Sequence, residues 1–369
     1  MILILFYIFL FLFVSNYSKR FGLNKRVKVQ MIWSFILLFV FFSLRGLPVL
    51  NDTHHYYNGQ LEEIMNGCVN RPFYQYNPDS RYGAGYQIFQ HIVANIALDP
   101  YALIFFSSLI FTIGSLWFIK RNTDEIALTI FILLGLSLMF GQYAALRQSL
   151  ATILFYLSCF FCARRKHILG LLLIFLAMQF HSSANVLILL YLLFQIPINR
   201  RNIIIAFGVC LIVCVALLPI LNFFDYGDNH YVTDMYDRSN AAWSAILSAV
   251  MFSIAILECY WLKNKYNIEP PDRIIIWGAI MGVFFNFASI IVIVFDRLAL
   301  YTAVFNVIMF VHFWSKSPRY EQNKLLKIII AIVLIRMSLE MGLKNEWKHL
   351  VPYSFYDFSN PNIYLDFGY

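Results

Sequence analysis

Charge is what this sequence has least of. Only 13% of its 369 residues are Asp, Glu, Lys or Arg, against about 25% in soluble globular domains. That shortage excludes a chain whose surface is mostly wetted. Cysteine is sparse too: of six, Cys159, Cys162, Cys210, Cys214 and Cys259 sit in apolar runs and only Cys68 in a polar stretch. No disulfide framework follows, and the "CFFC" of Cys159 to Cys162 reads as two small buried hydrophobes rather than a redox or metal motif. Glycine-rich nucleotide loops of the GxGxxG or Walker type and the GxSxG elbow are missing, so ATP- or nicotinamide-driven chemistry is unsupported and no cofactor is expected. HExxH, DxD and spaced Cys/His sets are missing as well, which leaves no expected metal site. Short segments of period-2 alternation, the mark of a β-barrel, do not occur. There is no internal repeat, low-complexity tract or soluble domain.

What is there is apolar: 60% of the residues are hydrophobic, gathered in runs that approach the ~20 residues needed to cross a bilayer as a helix. The expected fold is all-α, a polytopic membrane protein with about twelve spans forming one transmembrane domain over residues 1–369. Those spans read as Ile2–Val14, Val29–Leu44, Tyr101–Ile119, Ile126–Phe140, Leu150–Ala163, Ile168–Phe180, Ala184–Ile196, Asn202–Leu221, Ala241–Leu262, Ile274–Phe295, Leu298–Trp314 and Leu325–Met341. The first has no basic residue before it and no small-residue cleavage site after it, which favours a retained span over a removed signal peptide.

The net charge of +8 invites a nucleic-acid reading, but its distribution argues for a membrane instead. Lys19, Arg20, Lys25, Arg26 and Lys28 crowd the first loop. With loops placed alternately, Lys and Arg concentrate on that side and Asp and Glu on the other. This is the pattern of the positive-inside rule, and it puts both termini outside. Two long outer stretches result, 45–100 and 222–240, expected to act as lids. Within the first, Tyr86–Leu98 is too short for a span; its spacing of Tyr86, Phe89, Val93 and Ile96 suits a helix that lies in the interface or re-enters the bilayer.

Four polar signals punctuate the apolar runs on the outer face: the Arg45-to-Tyr57 stretch, Arg147-Gln148, His181-Ser182-Ser183 and Asp296-Arg297. Arg45, Arg147 and Arg297 run against the topogenic bias at the outer ends of hydrophobic segments. Taken singly, each can be a snorkelling anchor or a partner for a carboxylate, as Arg297 is placed to be for Asp296. Taken together, they suit a diphosphate, because guanidinium forks match phosphate oxygens and keep their charge. In a partly dehydrated pocket they would stabilise the diphosphate as it leaves.

His181 can serve as general base toward a sugar hydroxyl or as a donor to phosphate, with a hydrogen-bonded structural role as the bland alternative. Asp52 is the competing base, with turn formation in "NDT" as its own alternative. Tyr301, four residues after Arg297 on one helical face, can buttress it or stack on a sugar. Arg336 and Glu340 share that spacing and read as an intrahelical ion pair. His54 and His55 beside Asp52 make a poor metal site, since adjacent histidines rarely aim at one ion.

The order of these segments resembles the EpsG family, which groups with Wzy-type O-antigen and exopolysaccharide polymerases. The resemblance rests on Arg45 closing the second span, the Asp52-to-Tyr56 segment, "RYGAGYQIF" (Arg81 to Phe89), "RQSLA" (Arg147 to Ala151), "HSSA" (His181 to Ala184) and "DRLALY" (Asp296 to Tyr301). Where that family usually has a glycine just before the aspartate, this chain has "LND". The resemblance implies a metal-independent glycosyltransferase with a GT-C-like multi-span fold. It would move a growing glycan from undecaprenyl diphosphate to the non-reducing end of a new lipid-linked repeat, at the periplasmic face of a bacterial inner membrane. Arg147, Arg297 and then Arg45 would hold the diphosphate, His181 or Asp52 would activate the acceptor, and Gln148, Tyr301, Tyr56 and Asp296 would support them. A chain-length regulator and a flippase are the implied protein partners. The rival readings are a flippase of lipid-linked oligosaccharide, or a ligase or single-sugar transferase; a transporter should carry its charges mid-span, often with a repeat.

Overall fold

The computed structural model describes residues 2–50, 52–65, 72, 77, 82–223, 238–291, 294–343, 350 and 353–357, with the backbone alone at 213–223, 238–244, 291, 294, 342 and 343. Much of the expected lid over 222–240, together with Arg81 and Cys68, lies outside the described residues.

Among the described residues the chain is helical and without a named strand. In order come α1 (Ile2–Ser18), α2 (Leu23–Ser43), α3 (Thr53–Met65), α4 (Ala84–Ile96), α5 (Ala102–Asn122), α6 (Ile126–Gly135), α7 (Leu138–Ala144), α8 (Leu146–Ala163) and α9 (His167–Met178). A short 3-10 turn at Ser182–Val186 leads into α10 (Leu187–Leu193), then α11 (Arg200–Phe223), α12 (Arg238–Tyr266), α13 (Arg273–Ile291), α14 (Val294–Lys316) and α15 (Arg319–Leu343). Six helices are long and apolar enough to cross a membrane, and α6 with α7 makes a seventh if the bent pair is one span. The shorter apolar helices Ile2–Ser18, His167–Met178 and Ser182–Leu193 fall below that length.

The expected span Ile126–Phe140 is not one rod. It breaks between α6 and α7 with a bend of 78°, at Ser137, whose φ of 63° lies in the left-handed region. No Pro marks the break; a helix cannot continue through a left-handed residue. The stretch expected as a long outer loop is likewise part helix: α3 follows Asp52 directly, and the Asp52 carbonyl accepts the Tyr56 amide at 3.1 Å as the first turn closes.

The chain divides into two compact units, Met1–Phe161 with Lys166–Asn185 and Leu326–Tyr369, and Cys162–Arg165 with Val186–Leu325. In the first, α2 packs on α5 and α1, and α1 on α6. Tyr7 of α1 stacks on Phe41 of α2 at 4.0 Å between centroids. Near the N-terminal end of α2, Arg26 pairs with Glu125. Gln30 donates to Ser18 at 2.9 Å and accepts the Ala127 amide at 3.0 Å, so it supplies a side-chain acceptor to one of the amides a helix start leaves open. Arg336 and Glu340 of α15 pair at 2.9 Å, one helical turn apart.

In the second unit α13 packs along α14 and α12. Gly278 lies so close to Phe305 that a Cβ would collide with its ring. Trp277 donates to the Ile196 carbonyl at 2.8 Å, and Glu321 accepts from Lys265 and Tyr266 at 3.0 Å each.

Candidate functional site

In the first unit, the region just past the C-terminal end of α2 is organised by Arg45. It is fully buried, at 0% exposure, and its guanidinium donates to four separate places. Nε reaches Thr53 Oγ1 at 3.0 Å; Nη1 reaches Ser108 Oγ at 3.0 Å and the Phe42 carbonyl; Nη2 reaches the Tyr143 carbonyl at 3.2 Å. Four elements therefore meet on one side chain: the end of α2, the start of α3, the middle of α5 and α7. No carboxylate pairs with it among the described residues. Burial pulls Arg45 below the usual arginine range, while the phenols of Tyr101, Tyr353, Tyr143 and Tyr56 act the other way. Its backbone is held as well. The Tyr101 hydroxyl donates to the Arg45 carbonyl at 2.6 Å, and residues 354–356 run antiparallel beside it, with Gly46 N to Ser354 O at 2.8 Å and Tyr356 N to Leu44 O at 2.9 Å. A Cβ at Gly46 would collide with the Ser354 side chain.

Arg147 is placed differently. The α8 helix starts at Leu146, so Arg147 stands in its first turn, where the helix presents its open amides and the positive end of its dipole. Its guanidinium carbon lies 4.8 Å from the centroid of Tyr82 and 5.8 Å from that of Tyr86, within range of a cation–π contact. It also hydrogen-bonds to Tyr56, whose phenol is pushed up by burial and by the nearby charge of Asp52 and pulled back by Arg147. The three rings form a continuous wall, Tyr82 to Tyr86 at 5.4 Å and Tyr56 to Tyr86 at 6.4 Å, both edge-on. The Nε of Arg147 is buried and has no hydrogen-bond partner in the described structure. Gln148, next along the chain, is fully buried.

His181 is brought to this wall by the start of α4. The Tyr86 amide donates to the Gln179 carbonyl at 3.2 Å, two residues before His181, and Phe89 contacts Phe180 at 6.3 Å. Gly83 and Gly85 permit the approach: a Cβ at 83 would meet the Gln179 carbonyl, and one at 85 would lie 2.8 Å from Gln179 Cβ. His181 itself is half-buried. Its Nδ1 is 2.6 Å from Ser183 Oγ and 3.3 Å from the Ser183 amide.

Within the first unit the structure thus brings together Asp52, Tyr56, Arg147 and the chain leading to His181. Tyr82, Tyr86 and Ser183 belong to the same group and were not singled out by sequence reasoning as site residues. Their signal lay in "RYGAGYQIF" and "HSSA", whose glycines and serine carry the geometry. Asp296, Arg297 and Tyr301 belong to the second unit: the first is exposed, the second half-buried and Tyr301 fully buried, all near the start of α14.

A helical architecture with at least six bilayer-length apolar helices and polar side chains gathered at the ends of α2, α4 and α8 defines a polytopic membrane protein. Its family profile is specific: the chain belongs to the EpsG family, which it matches over residues 28–355. Members of that family are Wzy-like polymerases, so the chain has a polymerase-like, glycosyltransferase-like role in surface polysaccharide biosynthesis. Comparison with curated proteins and with solved structures gives no match.

Proposed function

We propose that the protein polymerises undecaprenyl-diphosphate-linked repeat units of a surface polysaccharide, O-antigen or a related polymer. It would transfer the growing glycan to the non-reducing end of a new lipid-linked repeat at the outer face of a bacterial inner membrane. The spans would number about twelve, as in a GT-C-like enzyme, with the shorter apolar helices completing the count. The observation that carries this reading is Arg147. It is a first-turn arginine walled by Tyr56, Tyr82 and Tyr86, and its buried Nε meets no acceptor among the described residues. A guanidinium so held is preorganised for an anion whose charge grows during reaction.

In the reaction the anomeric C–O bond to the diphosphate breaks and its electron pair leaves with the lipid diphosphate beside Arg147. The acceptor hydroxyl oxygen forms the new C–O bond and gives up its proton to a base, Asp52 or His181. Arg45 enters as a brace for this site, because its donors are already engaged by Thr53, Ser108, Phe42 and Tyr143. Arg297, with Asp296 and Tyr301, is the second diphosphate candidate, tested by its own substitution.

A flippase has one observation in its favour, the 78° break between α6 and α7, since broken helices line many transport sites. Here the break is tied down: Tyr143 is bonded to Arg45 through its carbonyl and lies 2.7 Å from Thr112 through its hydroxyl. The deciding experiment is a carbohydrate gel of a deletion strain complemented with wild type or Arg147→Ala. A ladder that collapses to a single added unit supports the polymerase. Complete loss of units, with repeats trapped on the cytoplasmic leaflet, supports the flippase.

A further inference from the structure

The end of α2 is capped by a segment from the far end of the chain. A helix leaves its last carbonyls without intrahelical donors, and here each carbonyl from Phe41 to Arg45 accepts a bond from elsewhere. Arg45 Nη1 serves Phe42, and the Tyr101 hydroxyl serves Ser43 at 3.1 Å and Arg45 at 2.6 Å. Residues 353–356 meet the rest. The Tyr353 hydroxyl donates to the Phe41 carbonyl, 312 residues away in sequence, and the Tyr356 amide donates to the Leu44 carbonyl at 2.9 Å. Phe355 forms an isolated antiparallel bridge with Arg45. Phe355 is 55% exposed and Tyr356 only 5%, the alternation of an extended chain.

Tyr356 carries this segment toward Arg147. Its ring lies flat on Tyr101, 3.9 Å away and 15° from parallel, and meets Tyr57 at 6.3 Å. The three rings share one buried cluster with Leu47, Ile104 and Leu146, and Tyr56 packs against it. Leu146 begins α8 and directly precedes Arg147, while Tyr56 hydrogen-bonds to Arg147. Both neighbours that set the position of this guanidinium lean on the cluster that Tyr356 completes.

We propose that residues 353–356 are a strap that positions the anion site, with Tyr356 the positioning residue that holds Leu146 and Tyr56, and through them Arg147. This rests on the reading of Arg147 as the diphosphate arginine and deepens it. The strap stays docked during turnover, and the ring of Tyr356, rather than its hydroxyl, carries the effect.

A reversible lock tests the docked state. A Cβ at Gly46 would stand 3.2 Å from the Ser354 Cβ, close to the ~3.8 Å of a disulfide. In membranes of complemented deletion cells, mild oxidation of the Gly46→Cys, Ser354→Cys double variant should link the two positions, read as a reducible cross-linked peptide by mass spectrometry. Elongation of the cells' own lipid-linked repeats should stay within about twofold between the linked and reduced protein. Absence of the link, or elongation that stops on linking and returns on reduction, overturns the proposal.

Substitution of Tyr356 tests the route to Arg147. Misplacing a reacting group by about 1 Å can cost a hundredfold, so Y356A should lower polymer yield tenfold or more at normal membrane levels of protein. Y356F should match wild type. Hydrogen exchange in detergent reads the same route without activity. The Ser149 amide, bonded to the Ala145 carbonyl at 2.9 Å in the first turn of α8, should exchange about tenfold faster in Y356A and unchanged in Y356F, with α1 unaffected in both. Exchange that rises equally throughout the chain, or stays the same at Ser149, overturns the positioning role. If wild type elongates nothing, the polymerase reading fails, while the cross-link and the exchange still decide whether the strap holds α8.

Discussion

Arg45 and Tyr143 stand 98 residues apart in the chain and meet at 3.2 Å, guanidinium Nη2 to backbone carbonyl. The Tyr143 ring lies flat on Phe42, 3.7 Å away and only 3° from parallel. One charged side chain and one stacked ring thus fix the C-terminal end of α2 against the peptide that leads, four residues later, to Arg147. The contact is costly to build, because burying a charge without a counter-ion carries a desolvation penalty of several kcal/mol. Four hydrogen bonds to the charged group offset it, at about 1.5–3 kcal/mol each.

Replacing Arg45 with Ala should therefore destabilise the protein, since each buried acceptor it leaves unsatisfied costs about 1–3 kcal/mol. Arg45→Lys should recover only part of this, since a single ammonium cannot span Thr53, Ser108 and Tyr143 at once. Thermal unfolding in detergent measures both. A lysine variant as stable as wild type would remove the brace from this account.

Arg147 should behave in the opposite way. Arg147→Ala gives up cation–π contacts of about 0.5–2 kcal/mol and a hydrogen bond to Tyr56 of about 1 kcal/mol, so the melting temperature should fall less than in Arg45→Ala while polymer length collapses. Arg147→Lys keeps the charge and loses the fork, and should remain strongly impaired on the same gel. Loss of folding in parallel with loss of polymer would instead assign Arg147 a structural role. Arg297→Ala is the matching test in the second unit.

At Gly83 and Gly85 the difference between backbone and side-chain neighbours predicts an order. Ala at 83 meets the Gln179 carbonyl, which cannot swing aside, whereas Ala at 85 meets the Gln179 side chain and the Phe180 ring. Overpacking of this kind costs about 1–3 kcal/mol. G83A should be the more damaging for both stability and polymer yield, because it pushes α4 from the turn that carries His181. Equal effects would mean that this contact does not hold the site.

Glu321 gives a pH dependence. Hydrogen bonds from Lys265 and then Tyr266 hold its carboxyl below the ordinary range, against the effect of burial. A depressed folded value means that the stabilisation is full above the unfolded carboxylate value of about 4.3 and is lost as pH falls through the lower, folded one. Melting curves of wild type and E321Q taken from neutral to acid pH should converge on the acid side. Parallel curves would show that the pair contributes nothing.

The hydrophobic runs determined the membrane class and the existence of most helices, because apolar length and loop charge are local quantities that no tertiary contact reverses. They also placed Arg336 and Glu340 on one face, where the pair is found. The sequence could not show that Ile126–Phe140 is broken. Ser137 is an ordinary residue, and nothing in its side chain announces the left-handed backbone it adopts. Nor could it separate Arg45 from Arg147. Both end apolar runs, yet one has its donors met by acceptors from four elements and the other faces a wall of three tyrosines, its Nε unmet among the described residues. Burial and the identity of the neighbours set the two arginines apart, and those are properties of the packed chain alone.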